Sequence, residues 1–168
     1  MVEIVNKVAQ SGLITLNLED FYDATEIVTY DIKENLFQGL ILREKDFRAF
    51  VKEHDWSTYS GKHVAVLCSV DAIVPTWAYM IISNSLEPYA KSIFFGDATA
   101  LQQSLIAKKM ANVNWAEYED KRVVIKGCGD IDIPVGAYIE ATKELTKVAK
   151  SIMYGEPCST VPIFKRKA

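Results

Sequence analysis

The chain repeats itself. When Trp56 to Asp97 is laid beside Trp115 to Glu156, at a constant offset of 59 and without a gap, 14 of the 42 pairs are identical. Composition alone gives roughly two or three such matches. The identities include Trp56/Trp115, Tyr59/Tyr118, Asp71/Asp130, Pro75/Pro134, Tyr79/Tyr138, Ser92/Ser151 and Gly96/Gly155. Two helices and strands that merely share common residue types do not place Trp, Tyr and Pro in register, so the pattern reads as an internal duplication. Any fold for this chain must accommodate one structural unit twice.

Each copy has the same internal order. An apolar, β-branched run, "HVAVLC" or "RVVIKG", leads into a polar loop. Pro75 or Pro134 then opens a helix, at a position where its missing N–H costs nothing, and a second short strand, "SIFF" or "SIMY", stops at Gly96 or Gly155. Strand, helix, strand is a βαβ unit. Between the copies, "ALQQSLIAKKMA" sets Leu101, Leu105, Ile106 and Met110 at helical spacing, and "EKDFRAFVKEH" does the same with Phe47, Phe50 and Val51 before the first copy. The expectation is an α/β fold: a three-layer sandwich around one mainly parallel sheet with helices on its faces. The alternation in "LITLNL" adds an N-terminal strand or hairpin. As boundaries, 1–168 reads as a single α/β domain, with an N-terminal extension (1–42), a first repeat (43–98), a second repeat (99–157) and a C-terminal tail (158–168) whose Lys165, Arg166 and Lys167 are expected in solvent.

The repeat also disposes of a membrane reading. His63 to Leu86 carries one charge, Asp71, but its twin Arg122 to Leu145 is rich in charge, and copies of one unit do not divide between lipid and water. The helix "PTWAYMIISNSL" is nevertheless apolar almost all round, whereas "PVGAYIEATKEL" has a polar face. The first is therefore expected to be covered on two sides, by core or at a homodimer contact. Nineteen basic against 22 acidic residues give a net charge of -3, which excludes phosphate-backbone binding as the main task, so no nucleic-acid partner is expected. An odd count of three cysteines and a start without a charged, apolar leader point to the reducing cytoplasm. HExxH, CxxC, GxGxxG, GxxxxGK[ST] and GxSxG patterns are absent, which removes the usual support for zinc-protease, thioredoxin, dinucleotide, P-loop and hydrolase readings.

The duplication serves as an internal control for chemistry. Cys128 stands where the first copy has Ser69, and Cys158 where it has Thr99. Both cysteines follow carboxyl ends of strands, the edge at which open parallel sheets bind ligands. Adjacent strands lie about 5 Å apart, so two thiols on one rim can share a metal ion or a disulfide. Lys126 falls on the same side as Cys128, and a helix N-terminus opens at Pro134; both favour thiolate. Asp130 and Glu156 lie close in sequence, though Asp71 and Asp97 at the equivalent places suggest loop caps. Cys68, matched by Gly127, reads as a small core residue; His54 and His63 read as surface residues.

The segments "KGC", "IPVGAY" and "KSIMYGEPCSTVPIFKR" resemble the bacterial family DUF2480, found mainly in Bacteroidota, over most of the chain. The resemblance implies no activity. It implies neighbours in gene clusters for iron-sulfur assembly, and hence a protein partner in iron-sulfur metabolism. The leading expectation is an open metal or iron-sulfur site with Cys128 and Cys158 as ligands, Asp130, a water or a partner chain completing the sphere. The alternatives are a non-catalytic module whose loops at Ser69, Thr99, Cys128 and Cys158 cradle a small ligand or a protein, and a thiol redox protein using the same pair.

Overall fold

The computed structural model describes residues 12–127, 129–156 and 158–168. It is a mixed α/β structure with two mostly parallel sheets and four α-helices among those residues. The strands are β1 (Leu13–Asn17), β2 (Ile27–Asp31), β3 (His63–Leu67), β4 (Ser92–Phe95), β5 (Arg122–Lys126), β6 (Ser151–Glu156) and β7 (Ser159–Lys165). The helices are α1 (Glu44–Glu53), α2 (Thr76–Leu86), α3 (Ala98–Met110) and α4 (Val135–Val148). The chain divides into two compact units: unit 1, residues 1–23 with 102–168, and unit 2, residues 24–101.

The single sheet expected from the repeat is thereby corrected. Unit 2 holds the order β2-β3-β4, all parallel; unit 1 holds β1-β5-β6-β7, parallel except for β7. The N-terminal segment is the reason. It supplies one strand to each unit rather than a hairpin, so each strand pair of the repeat acquires its own third member. The registers correspond position by position: Thr29 lies opposite Ala65 and Thr15 opposite Val124, while His63 faces Ser92 as Arg122 faces Ser151. The expected C-terminal tail contributes β7, antiparallel to β6, and Arg166 ends it on the Asp120 carboxylate and the Val148 carbonyl, at 2.6 and 2.7 Å.

Local chemistry accounts for the elements. Val64, Ala65 and Val66 of β3, and Val123, Val124 and Ile125 of β5, are buried on both faces, as central parallel strands require. Asn17 and Asp31 each accept a hydrogen bond from the backbone N–H two residues on, turning β1 and β2 into short 3-10 helices, Leu18–Phe21 and Ile32–Asn35. Pro75 and Pro134 precede α2 and α4, each carbonyl accepting from the N–H three residues later. The two helices then bury the same ladder: Ala78, Ile82 and Leu86 in one, Ala137, Ala141 and Leu145 in the other. Truncating Leu86 or Leu145 to alanine removes full burial and is worth about 2–5 kcal/mol. The helical positions Leu101, Leu105, Ile106 and Met110 of α3 are all buried, as their spacing implies. Trp56 is buried over the entrance to β3 and donates its indole N–H to the Val51 carbonyl at 2.8 Å.

The histidines depart from expectation. His63 is 2% exposed, and its Nδ1 lies 2.6 Å from the Ser92 hydroxyl on the neighbouring strand. His54 is half-buried among aromatic rings, 4.6 Å from Trp56 and 5.0 Å from Phe50 between centroids. Each exchanges water for a partner in the fold, which strand pairing and ring packing supply and local sequence does not show. No helix is long and apolar enough to cross a membrane among the described residues.

Candidate functional site

The sequence singles out the thiol rim at the ends of β5 and β6. Strands β5 and β6 do pair directly, so their carboxyl ends are neighbours. Cys128 lies outside the described residues. Cys158 is an exposed free thiol in the turn between β6 and β7. Among the described residues there is no group of three or more His, Cys, Asp or Glu side chains that could hold a metal ion. This overturns the expected metal or iron-sulfur centre at Cys128 and Cys158. The acids expected to complete it are engaged elsewhere or lie apart: Glu156 forms an ion pair with Lys126 at 3.2 Å, and Asp130 is exposed. Cys158 is a free thiol and Cys128 lies outside the described residues, so no disulfide or close cysteine pair among the described residues supports the dithiol redox reading.

Of the residues expected to form a four-loop cradle, Ser69 and Thr99 belong to unit 2, and Lys126, Asp130, Glu156 and Cys158 to unit 1. Ser69 gives its backbone N–H to Asp31 at 3.1 Å, and Thr99 is exposed on the first turn of α3. Asp97 caps that helix, its carboxylate accepting from the Ala100 N–H at 2.8 Å, so the loop-cap expectation holds at this position. Cys68 is partly buried against the core of unit 2, its thiol 3.4 Å from the Val70 carbonyl.

A different site emerges from the repeat. In unit 2, a groove of about 280 Å³ runs between α2 and β4, over Val66, Thr76, Tyr79, Ser83 and Phe95. In unit 1, a groove of about 330 Å³ runs between α4 and β6, over Ile125, Val135, Tyr138, Thr142 and Tyr154. These five positions correspond one to one at the offset of 59. In each groove the helix tyrosine meets the strand aromatic edge to face, Tyr79 on Phe95 at 5.3 Å and Tyr138 on Tyr154 at 5.8 Å. Burial, then the nearby Cys68 and Asp31, push the Tyr79 hydroxyl above its ordinary range, so it is a neutral group at physiological pH. Neither groove is lined by a charged side chain. Largely apolar walls of this kind, with a few hydroxyls, hold apolar side chains.

The grooves differ at one wall. In unit 1, Ile163 of β7 completes the lining, because β7 lies along the outer edge of β6. In unit 2, β4 is the last strand, and among the described residues nothing pairs with its outer edge. Met80 and Phe95 are 65% and 70% exposed there. The apolar residues of α2 that the sequence expects to be covered are largely so: Trp77, Tyr79 and Ile81 pack partly buried against the unit 2 core, and Met80 is the large apolar side chain left exposed. The signal for this site was present as five matched apolar or hydroxyl positions, but the thiols drew attention to the opposite feature, the positions where the copies differ.

Comparison with known proteins gives lineage. A family model described as a protein of unknown function, DUF2480, matches residues 2–166, and the chain belongs to that family. Comparisons with curated proteins and with solved structures returned no match.

Proposed function

We propose that this DUF2480 protein works without catalysis, as a strand-accepting module that pairs with a second copy of itself along β4. The observation that carries the reading is the unpaired outer edge of β4 with Phe95 70% exposed beside it, where β6 has β7 in place and the matching Tyr154 is 37% exposed. Edge strands that stay solvated are normally protected by proline or by charge. β7 carries Pro162 and Lys165; β4, "SIFF", carries neither. An uncharged strand can meet its own copy antiparallel across a two-fold axis without like charges facing one another. Pairing would extend the sheet and cover Phe95.

The same reading takes units 1 and 2 as the products of an internal duplication, supported by the offset of 59 and by corresponding strand registers. One copy then kept its edge closed with β7 and the other kept it for association. Free thiols at Cys68 and Cys158 suit a cytoplasmic setting for such a protein.

Sedimentation velocity on the full chain tests the proposal. The expected result is a dimer in the low micromolar range, which Phe95→Lys weakens at least about tenfold while its circular dichroism stays unchanged, since desolvating a lysine on a pairing edge is costly. Ile163→Lys, on the closed edge, is expected to leave the dimer intact. A wild-type monomer at about 100 µM, or a Phe95→Lys variant that dimerises as before, would overturn it.

A further inference from the structure

We infer that unit 2 carries a second site, independent of the β4 edge: a binding pocket for a small organic cation of the alkylated-ammonium class. A cavity of about 250 Å³ opens beside β2 and the 3-10 helix that follows it. Its walls include four aromatic rings, Tyr30, Phe50, His54 and Tyr59, and two carboxylates, Asp31 and Glu34. No lysine or arginine lines it. Aromatic faces and carboxylates share one preference, for positive charge with some apolar surface, and both disfavour phosphates and carboxylic acids.

The rings are held in place. Tyr30 stacks on Trp56 at 5.6 Å and lies 6.2 Å from Tyr59, while His54 stands edge-on to Trp56 and stacks on Phe50. The Tyr30 hydroxyl donates to Asn35 at 2.7 Å, and burial, reinforced by Tyr59, keeps it well above its ordinary pKa, so the ring stays neutral. His54 Nε2 is buried without a hydrogen-bond partner. Asp31 is raised by burial but lowered more by hydrogen bonds from Ser69 and the Lys33 backbone and by the Lys33 charge, so it is ionised at neutral pH. Lys33 approaches Asp31 and Glu34 at only 3.6 and 3.9 Å, and one ammonium against two carboxylates leaves a negative charge uncompensated. The volume suits a compact head group and is below that of sites for drug-sized molecules, about 300–1,000 Å³.

Unit 1 supplies a control. By strand register and offset, Leu16 stands where unit 2 has Tyr30, Asn17 where it has Asp31, Val113 where it has His54, and Lys109 where it has Phe50. Lys109 sends its own ammonium to the Tyr22 carbonyl at 3.0 Å, just past the 3-10 helix that matches the one beside the cavity. One unit thus brings a cation of its own to this region; the other leaves aromatic walls and carboxylates.

The test is an NMR titration of the full chain with tetramethylammonium chloride against sodium chloride at equal ionic strength. Saturable shifts confined to Tyr30, His54 and Tyr59 are expected. Phe50→Lys, which copies unit 1 at a position already 38% exposed, should weaken binding at least about tenfold, and Glu34→Gln several-fold, with both variants retaining the wild-type spectrum elsewhere. tert-Butanol, a neutral molecule of similar size, should not saturate the same signals. Linear, unsaturated shifts up to about 100 mM, equal binding by Phe50→Lys, or equal binding of tert-butanol would each overturn the inference. Phe95→Lys, which tests the β4 edge, should leave this titration unchanged, so the two readings fail separately.

Discussion

Units 1 and 2 present the same strand register, the same helix ladder and the same groove, yet they end differently at the sheet edge. β6 is followed by a tight turn and its own antiparallel partner, whereas β4 is followed by Asp97 and a helix. What a chain does immediately after a strand thus decides whether that strand's outer edge is paired within its own unit or left unpaired. The same lesson holds at the opposite flank, where Lys109 occupies in sequence the place that Phe50 takes in unit 2. Matched positions build the fold and the two grooves; the departures between them set what lies at each groove's edge.

The glycines that close the two second strands allow the comparison to be broken most severely. Gly155 has φ 117°, and a Cβ there would meet the Ser159 carbonyl oxygen at 2.7 Å, backbone that the β7 turn holds in place. Gly96 has φ 142°, but its added Cβ would meet the Phe94 ring edge at 2.8 Å, which a side-chain rotation relieves. Gly155→Ala is therefore expected to cost about 3 kcal/mol or more and Gly96→Ala about 1–2 kcal/mol, read from urea unfolding of each variant. Equal losses would mean that the closed edge imposes no added constraint.

Buried hydrogen bonding gives an intermediate contrast. Ser92→Ala removes the hydroxyl beside buried His63 and should cost about 1–2 kcal/mol, because the ring nitrogen loses a partner it cannot replace with water. Ser151→Ala, opposite exposed Arg122, should stay within about 0.5 kcal/mol. Thermal unfolding of the pair checks both values.

The smallest effect concerns pH. Asp31 and Asn17 cap equivalent 3-10 helices, one with a charge and one without. The Asp31 carboxyl is held below its usual range, so its contribution is present above the unfolded carboxylate pKa of about 4 and is lost as pH falls through its lower folded value. Wild type should exceed Asp31→Asn in stability near neutrality, and the gap should close as pH falls through the lowered folded value of the Asp31 carboxyl. A gap that persists in acid, measured by unfolding across that range, would show that the cap works through geometry alone.

The sequence by itself determined the α/β class, the strands from "HVAVLC" to "SIMY", the helix starts at Pro75 and Pro134, and the buried face of α3. These follow from periodicity and backbone restriction, which act over a few residues and so are written locally. Only the tertiary structure decided that the strands form two sheets, that the last residues become β7, that His63 is buried, and that Tyr30, Phe50, His54 and Tyr59 meet around one cavity. Each of those depends on which distant edges and rings come together. A strand's pattern states that it has an edge to satisfy, and the rest of the chain settles what satisfies it.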